Sequence, residues 1–222
     1  SFWELAPRRF QCVWVSGSCV TKNWCEGDGT NPFIVFEFSG NHEFNGRQCR
    51  ARTMGERSNL PLKGSSFTLE AWVKPRHNRL TNAGIVGWGH YGRRHEVNAL
   101  RIEIHGGKKQ LRNYWWGDDM LRTSNSIWDG KYHHVATTWD EASKTHRMYV
   151  DGSQVGSPDD AKTNKNRPRR YNVRTKNNFC VGATNRQFWN GWIQDLKIYN
   201  TAVSAQDIKK IYETTKAKVQ NF

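Results

Sequence analysis

The stretch Gln187-Phe-Trp-Asn-Gly-Trp-Ile-Gln-Asp-Leu-Lys-Ile-Tyr199 decides the fold. It reads as one long strand that ends in a turn and runs through Thr201-Ala-Val-Ser204 into a helix. Trp192 is expected on the core side of that strand. Ser204 is the helix N-cap, and Asp207 three residues on completes a capping box. Ile208, Ile211 and Tyr212 form the apolar stripe of the helix, which is expected to lie against the edge of a sheet structure. A second block agrees with the first: Trp128-Asp-Gly-Lys-Tyr-His-His-Val-Ala-Thr-Thr-Trp139, followed by Met148-Tyr-Val-Asp-Gly152. Asp151-Gly152 is the signature of a primed two-residue turn between strands.

Working outward, the same pattern recurs. Phe33-Ile-Val-Phe-Glu-Phe38 is rich in strand formers. Phe67-Thr-Leu-Glu-Ala-Trp-Val73 alternates in period two and stops at Pro75, with Phe67, Leu69, Ala71 and Val73 on one face. Ile85-Val-Gly-Trp88 is a short strand. Leu100-Arg-Ile-Glu-Ile104 and Leu111-Arg-Asn-Tyr-Trp-Trp116 flank the turn Gly106-Gly-Lys-Lys109 as a hairpin. Thr145 to Val150, Ser153-Gln-Val155 and Phe179-Cys-Val181 complete the set. Many short strands separated by Gly, Asn and Asp turns predict an all-β fold, a two-sheet antiparallel sandwich with a short C-terminal helix.

The chain has 222 residues and 11 Trp, enough for one well-cored domain. It contains no apolar run of the ~20 residues a membrane span needs. It begins Ser-Phe-Trp, without Met or a leader, as a processed product or an excised domain does. The formal charge of +14 favours polyanionic partners. The five cysteines, Cys12, Cys19, Cys25, Cys49 and Cys180, lack zinc-site spacing. They predict two disulfides and a secreted, extracellular protein, with the distant Cys180 as the odd one out.

Five blocks in order resemble the laminin-G-like members of the concanavalin A-like lectin/glucanase superfamily, a pentraxin-like jelly roll. They are Phe36-Glu-Phe-Ser-Gly40, Phe67-Thr-Leu-Glu-Ala-Trp-Val-Lys-Pro75, Tyr132-His-His-Val-Ala136, Tyr149-Val-Asp-Gly152 and Gly191-Trp-Ile-Gln-Asp-Leu-Lys-Ile-Tyr199. The resemblance spans residues from about 33 to 215, so residues 33–222 are assigned to the sandwich. Residues 1–32 are read as a cysteine-pinned extension packed on it. The family implies recognition: lectins, adhesion modules and accessory domains of glycan-active enzymes all use this fold.

A catalytic role is not expected. Retaining glycosidases need two carboxyl groups about 5–5.5 Å apart, and no strand carries carboxylates at alternate positions. Glu70 and Glu103 each lack an acidic neighbour two residues away. His133 and His134 are adjacent on a strand and point to opposite faces, so they cannot chelate one ion. The family resemblance implies calcium, with Asn41, Glu43 and Asp195 as candidate ligands; Gln194, where relatives often carry Asp, lowers the charge of that site. Asp28 and the pair Asp118-Asp119 are further acidic turn positions.

The expected ligand surface is aromatic and basic. Trp88, His90, Tyr91, Arg93 and Arg94 form one group; Trp115, Trp116 and Asp118 a second; Arg186 and Trp189 a third. Indole faces stack on sugar rings, and Arg and Asp bind their polar groups. Adjacent Trp115 and Trp116 cannot both face the core of one strand. The acid-free segment 162–176 carries Lys165, Arg167, Arg169, Arg170 and Arg174 and is read as a polyanion-binding loop. The resulting expectation is a non-enzymatic lectin-like protein for anionic glycans, able to form homo-oligomers. The alternative is an extracellular adhesion or structural module binding a protein partner, or an accessory domain of a glycan-active enzyme, and nucleic acid is disfavoured as a partner.

Overall fold

In a computed structural model, residues 12–15, 18–21, 34–47, 49–50, 59–76, 82–117, 119–123, 126–156, 159–160 and 171–219 are described. Numbered from the first long strand, the main elements are β1 (Ile34–Asn45), β2 (Phe67–Pro75), β3 (Ala83–Gly89), β4 (Val97–His105) and β5 (Lys108–Tyr114). They continue with β6 (Met120–Thr123), β7 (His133–Asp140), β8 (Thr145–Val150), β9 (Asn190–Tyr199) and the helix α1 (Ala205–Val219). Two sheets carry the fold. A seven-stranded sheet runs β8-β7-β2-β9-β1, with the short strands Ser153–Gln154 and Asp159–Asp160 both on β8. A five-stranded sheet runs from the short strand Cys180–Val181 through β3-β4-β5-β6. Every pairing is antiparallel, as the alternating sequence pattern requires.

The core lies between the sheets. Phe67, Leu69, Ala71 and Val73 of β2 all face it, with Val135 and Trp139 of β7 and Leu100, Ile102 and Leu111 of the facing sheet. The other face of β2 carries Thr68, Glu70, Trp72 and Lys74. Helix α1 covers this outer face instead of flanking an edge: Ile208 and Ile211 pack with Ala136, Tyr149 and Tyr199. Tyr212 stacks on Trp72 at 5.6 Å, and the Trp72 indole donates to Thr215 Oγ1 at 3.0 Å. The apolar patch of Trp72, Ala136, Tyr149 and Tyr199 on this face is covered by the helix as a further layer, which an edge position would not achieve. Ser204 caps the helix: the Asp207 N–H donates to its Oγ at 3.1 Å, and its hydroxyl donates to the Asp207 carboxylate at 2.6 Å.

Two expectations are corrected. Trp192 lies half-buried on the outer face, beside Lys74 and Arg76, not in the core. A β-bulge between Gln194 and Leu196 is the reason: Asp195 takes a φ of 48° and adds one residue, so inward parity passes from Ile193 to Leu196 and Ile198. Cys180 is not the odd cysteine. It forms a disulfide with Cys49 at a Cα separation of 5.6 Å, because the bridge Arg50–Val181 lays the two segments together. The hairpin Cys12–Val15 with Ser18–Thr21 is described by its backbone pairing; the pinning expected of residues 1–32 lies outside the described side chains. Among the described residues no helix is long and apolar enough to cross a membrane.

Candidate functional site

Three of the ten expected ligand-binding residues belong to the core. Trp88, Trp115 and Trp189 are each 0% exposed, so no sugar can reach their faces. Trp115 stacks on His146 at 4.5 Å, and Trp88 donates to the Pro61 carbonyl at 3.3 Å. Burial wins because each sits where strands pair and an indole fills the gap between sheets. Trp116, its neighbour, turns outward with a φ of 50° and is 38% exposed. His90, Arg93, Arg94 and Arg186 are exposed, and Asp118 lies outside the described residues. Of the five basic residues named in the loop, Arg174 is described, exposed and 3.8 Å from Glu96; Lys165, Arg167, Arg169 and Arg170 lie outside the described residues.

A charged cluster lies on the outer face of the five-stranded sheet, reached by the segments that carry Trp116 and Arg186. Arg101 of β4 and Arg112 of β5 stand directly opposite each other. Glu103 bridges them, 2.8 Å from Arg101 Nη2 and 2.6 Å from Arg112 Nη1. Arg112 also pairs with Asp119, whose other oxygen accepts the Trp115 N–H at 2.6 Å. Both guanidiniums sit over the Tyr114 ring, 4.3 and 4.9 Å from its centroid. Arg101 Nη1 donates to Gln187 Oε1 at 2.8 Å, tying in the turn that carries Arg186. Tyr91 folds back over Gly87, where a Cβ would stand 2.5 Å from its hydroxyl, so glycine makes room for it. The Tyr91 hydroxyl, Arg101 Nε, Arg112 Nε and Thr184 Oγ1 are buried without a protein partner.

Burial raises the Tyr91 pKa well above the ordinary tyrosine value, so this hydroxyl stays protonated and can donate. Burial disfavours the charge on both arginines. In Arg101 it prevails and lowers the pKa despite Glu103. In Arg112 the Asp119 and Glu103 carboxylates outweigh it and raise the pKa. Both remain charged at neutral pH. The cluster balances two cations against two anions. It therefore offers fixed donors and acceptors side by side, which suits a ligand rich in hydroxyls. Reading β4 strand by strand leaves Glu103 isolated. The missed signal is the hairpin register, since a two-residue Gly106-Gly107 turn sets Arg101 opposite Arg112.

The expected calcium ligands Asp195, Asn41 and Glu43 are each engaged by protein groups. The Asp195 carboxylate accepts from the Gly40 N–H at 2.8 Å and from the Gln194 amide at 3.2 Å. Asn41 Oδ1 accepts from the Tyr132 hydroxyl at 2.9 Å, and Glu43 pairs with Arg76. Among the described residues no three His, Cys, Asp or Glu side chains group as metal ligands. The two adjacent histidines go separate ways, as alternation requires: His133 engages Asp151 and Asp129, and His134 engages Glu70.

A family model described as the concanavalin A-like lectin/glucanases superfamily matches residues 53–209. The chain belongs to this superfamily. No curated protein matches it. Among solved structures, the leech intramolecular trans-sialidase complexed with 2,7-anhydro-Neu5Ac superposes with a TM-score of 0.62 at 16% identity, covering 81% of this chain and 28% of that enzyme. The CBM40 of the Ruminococcus gnavus IT-sialidase, bound to α2,3 sialyllactose, gives 0.62 at 13% identity over 81% of this chain and 98% of that module. The heptameric SAP-like pentraxin of Limulus polyphemus gives 0.54 at 15% identity over 78% and 81% of the two chains. At such identities the likeness is one of fold. In this member of the superfamily, the helix occupies one outer face and the arginine cluster the other.

Proposed function

We propose that this chain is a secreted, non-enzymatic, lectin-like protein that binds an acidic glycan on the outer face of the five-stranded sheet. The observation that carries the reading is the Arg101–Glu103–Arg112–Asp119 cluster, open to solvent at Arg112 and Asp119, on the sheet that ends in the exposed Trp116 indole. Sugar hydroxyls accept from the partly exposed Arg112 guanidinium and donate to the Asp119 carboxylate, while Trp116 offers a ring face. Because the cluster itself is charge-balanced, preference for acidic sugars comes from the rim arginines Arg93, Arg94 and Arg186. Two neighbours of the same fold carry sialic-acid sugars in their structures, the leech enzyme and the CBM40 module, which supports the ligand class. The Cys49–Cys180 disulfide supports an oxidising, extracellular setting. The sugar contacts come from side chains alone, so chelation by EDTA is expected to leave binding intact.

Calorimetric titration with sialyllactose and with lactose tests this. Sialyllactose is expected to bind, lactose at least tenfold more weakly, a gap of about 1.4 kcal/mol. Replacement of Arg112 by Ala is expected to remove the lactose signal and to weaken the sialyllactose signal about tenfold or more. Silence toward both sugars and across a broad glycan array would sink the reading.

A further inference from the structure

The opposite outer face holds a cleft of about 440 Å³, within the ~300–1,000 Å³ range of small-molecule sites. It opens between the turn 129–132, the turn at Asp151 and the last turns of α1. Its aromatic wall is built in advance. Tyr212 is stacked on Trp72, and Gly152, with a φ of 72°, lets Tyr212 close on the turn: a Cβ there would lie 3.0 Å from the Tyr212 side chain. Tyr132 forms the second ring, held by its hydrogen bond to Asn41.

The charges lining the cleft do not cancel. Asp129 and Asp151 both turn toward His133, at 2.9 and 2.8 Å. Each also accepts a backbone N–H, Asp129 from Lys131 at 2.8 Å and Asp151 from His134 at 3.0 Å. The two carboxylates are thereby fixed by the fold. Lys216 pairs with Glu213 outside the lining. Lys74 sits between rings, its Nζ 5.3 Å from Tyr132 and 5.1 Å from Trp192, and Lys131 is exposed on the turn. The Lys74 ammonium thus stands over the Tyr132 face and the Lys216 ammonium 5.4 Å from the Tyr212 centroid, while the exposed Lys131 lines the cleft from its turn.

We propose that this cleft is a second binding site, for a single anionic sugar residue. A carboxylate or sulfate sits on Lys74 and Lys131, and the ring packs against Tyr132 and Tyr212. A cleft of this volume suits a sugar unit better than an extended peptide. The site lies on the other side of the sandwich from the arginine cluster, so it does not rest on that reading.

The test is local by design. The full chain is titrated with a sulfated disaccharide and, separately, with a uronic-acid disaccharide, and the Trp72 indole N–H and Gly130 amide signals are followed by NMR. Both signals are expected to shift with at least one sugar, and the responding arm names the anion. The double variant Lys74→Gln/Lys131→Gln is expected to weaken that response about tenfold or more. The charge-matched control Lys209→Gln/Lys210→Gln, on the exposed side of α1, is expected to change it less than about twofold. The proposal is overturned if neither sugar moves these signals at millimolar concentration, or if the control weakens binding as much as the cleft variant. The second outcome would assign the effect to net charge alone.

Discussion

The two outer faces of the sandwich solve the same problem differently. Each carries carboxylates at strand positions that alternate with core residues. On the seven-stranded sheet, α1 closes over Glu70 and leaves it 2% exposed. Its two oxygens accept from His134 Nε2 at 3.1 Å and from the Tyr199 hydroxyl, with Lys197 at 3.9 Å. Burial works against the Glu70 charge, yet His134 and Lys197 hold its pKa below the ordinary value. On the five-stranded sheet no helix covers Glu103 among the described residues, and the arginines around it keep unpartnered donors. A carboxylate shut from solvent with both oxygens occupied serves stability, whereas a charged cluster left partly open, with Arg112 16% and Asp119 13% exposed, is suited to a ligand. The difference separates a structural face from the face proposed for recognition.

The largest effects should fall on the structural side. Glu70→Ala removes the acceptor of two buried donors and should cost about 3–5 kcal/mol in urea unfolding. Arg112→Ala, at a site 16% exposed, should cost only about 1–3 kcal/mol while weakening sugar binding. Equal losses for the two would break the contrast between the faces. Next comes the tryptophan pair on the five-stranded sheet. Trp115→Ala should cost about 3–5 kcal/mol, as large-to-small changes in a packed core do. Trp116→Ala should stay within about 0.5 kcal/mol of the parent in stability and yet weaken sialyllactose binding. An unchanged affinity would remove the indole from the proposed site.

These predictions also mark what the sequence could say. The alternation of Phe67-Thr-Leu-Glu-Ala-Trp-Val73 and the turn Asp151-Gly152 announced the strands and their order, because period and turn chemistry are local properties. Adjacency showed that Trp115 and Trp116 must part, but which one entered the core depended on the positive φ of Trp116. Trp88 and Trp189 looked like loop aromatics beside charged residues. Their burial comes from pairings between distant segments, which no local pattern carries. Trp192 was misplaced because a strict period of two ignores the bulge at Asp195. The cluster of Arg101, Glu103 and Arg112 was legible, since the Gly106-Gly107 turn fixes the register that joins them. The lysine cleft was half legible: Trp72 and Lys74 share the face of β2 opposite Phe67, but the helix and turns that close over them are long-range contacts.

The smallest expected effect is on pH dependence, and it too separates the faces. Burial is the strongest influence on His133 and opposes its charge. The hydrogen bonds to Asp151 and Asp129 together outweigh it and raise the pKa above the ordinary 6.5. The charged His133 therefore contributes stability that is fully present below about pH 6.5 and is lost as pH rises through the elevated value. Asp129 gives the opposite limb. Burial acts to raise its pKa, but the His133 contact lowers it below 3.8, so its contribution is lost as pH falls through that depressed value. The arginines of the face proposed for recognition stay charged across this range and add no such slope. The urea midpoint is accordingly expected to fall modestly between about pH 6 and pH 9. That fall should shrink in His133→Asn, whereas sialyllactose affinity at pH 7 should not change in that variant. A midpoint that falls equally with and without His133 would move the pH response to another histidine and leave the helix side without its titrating contact.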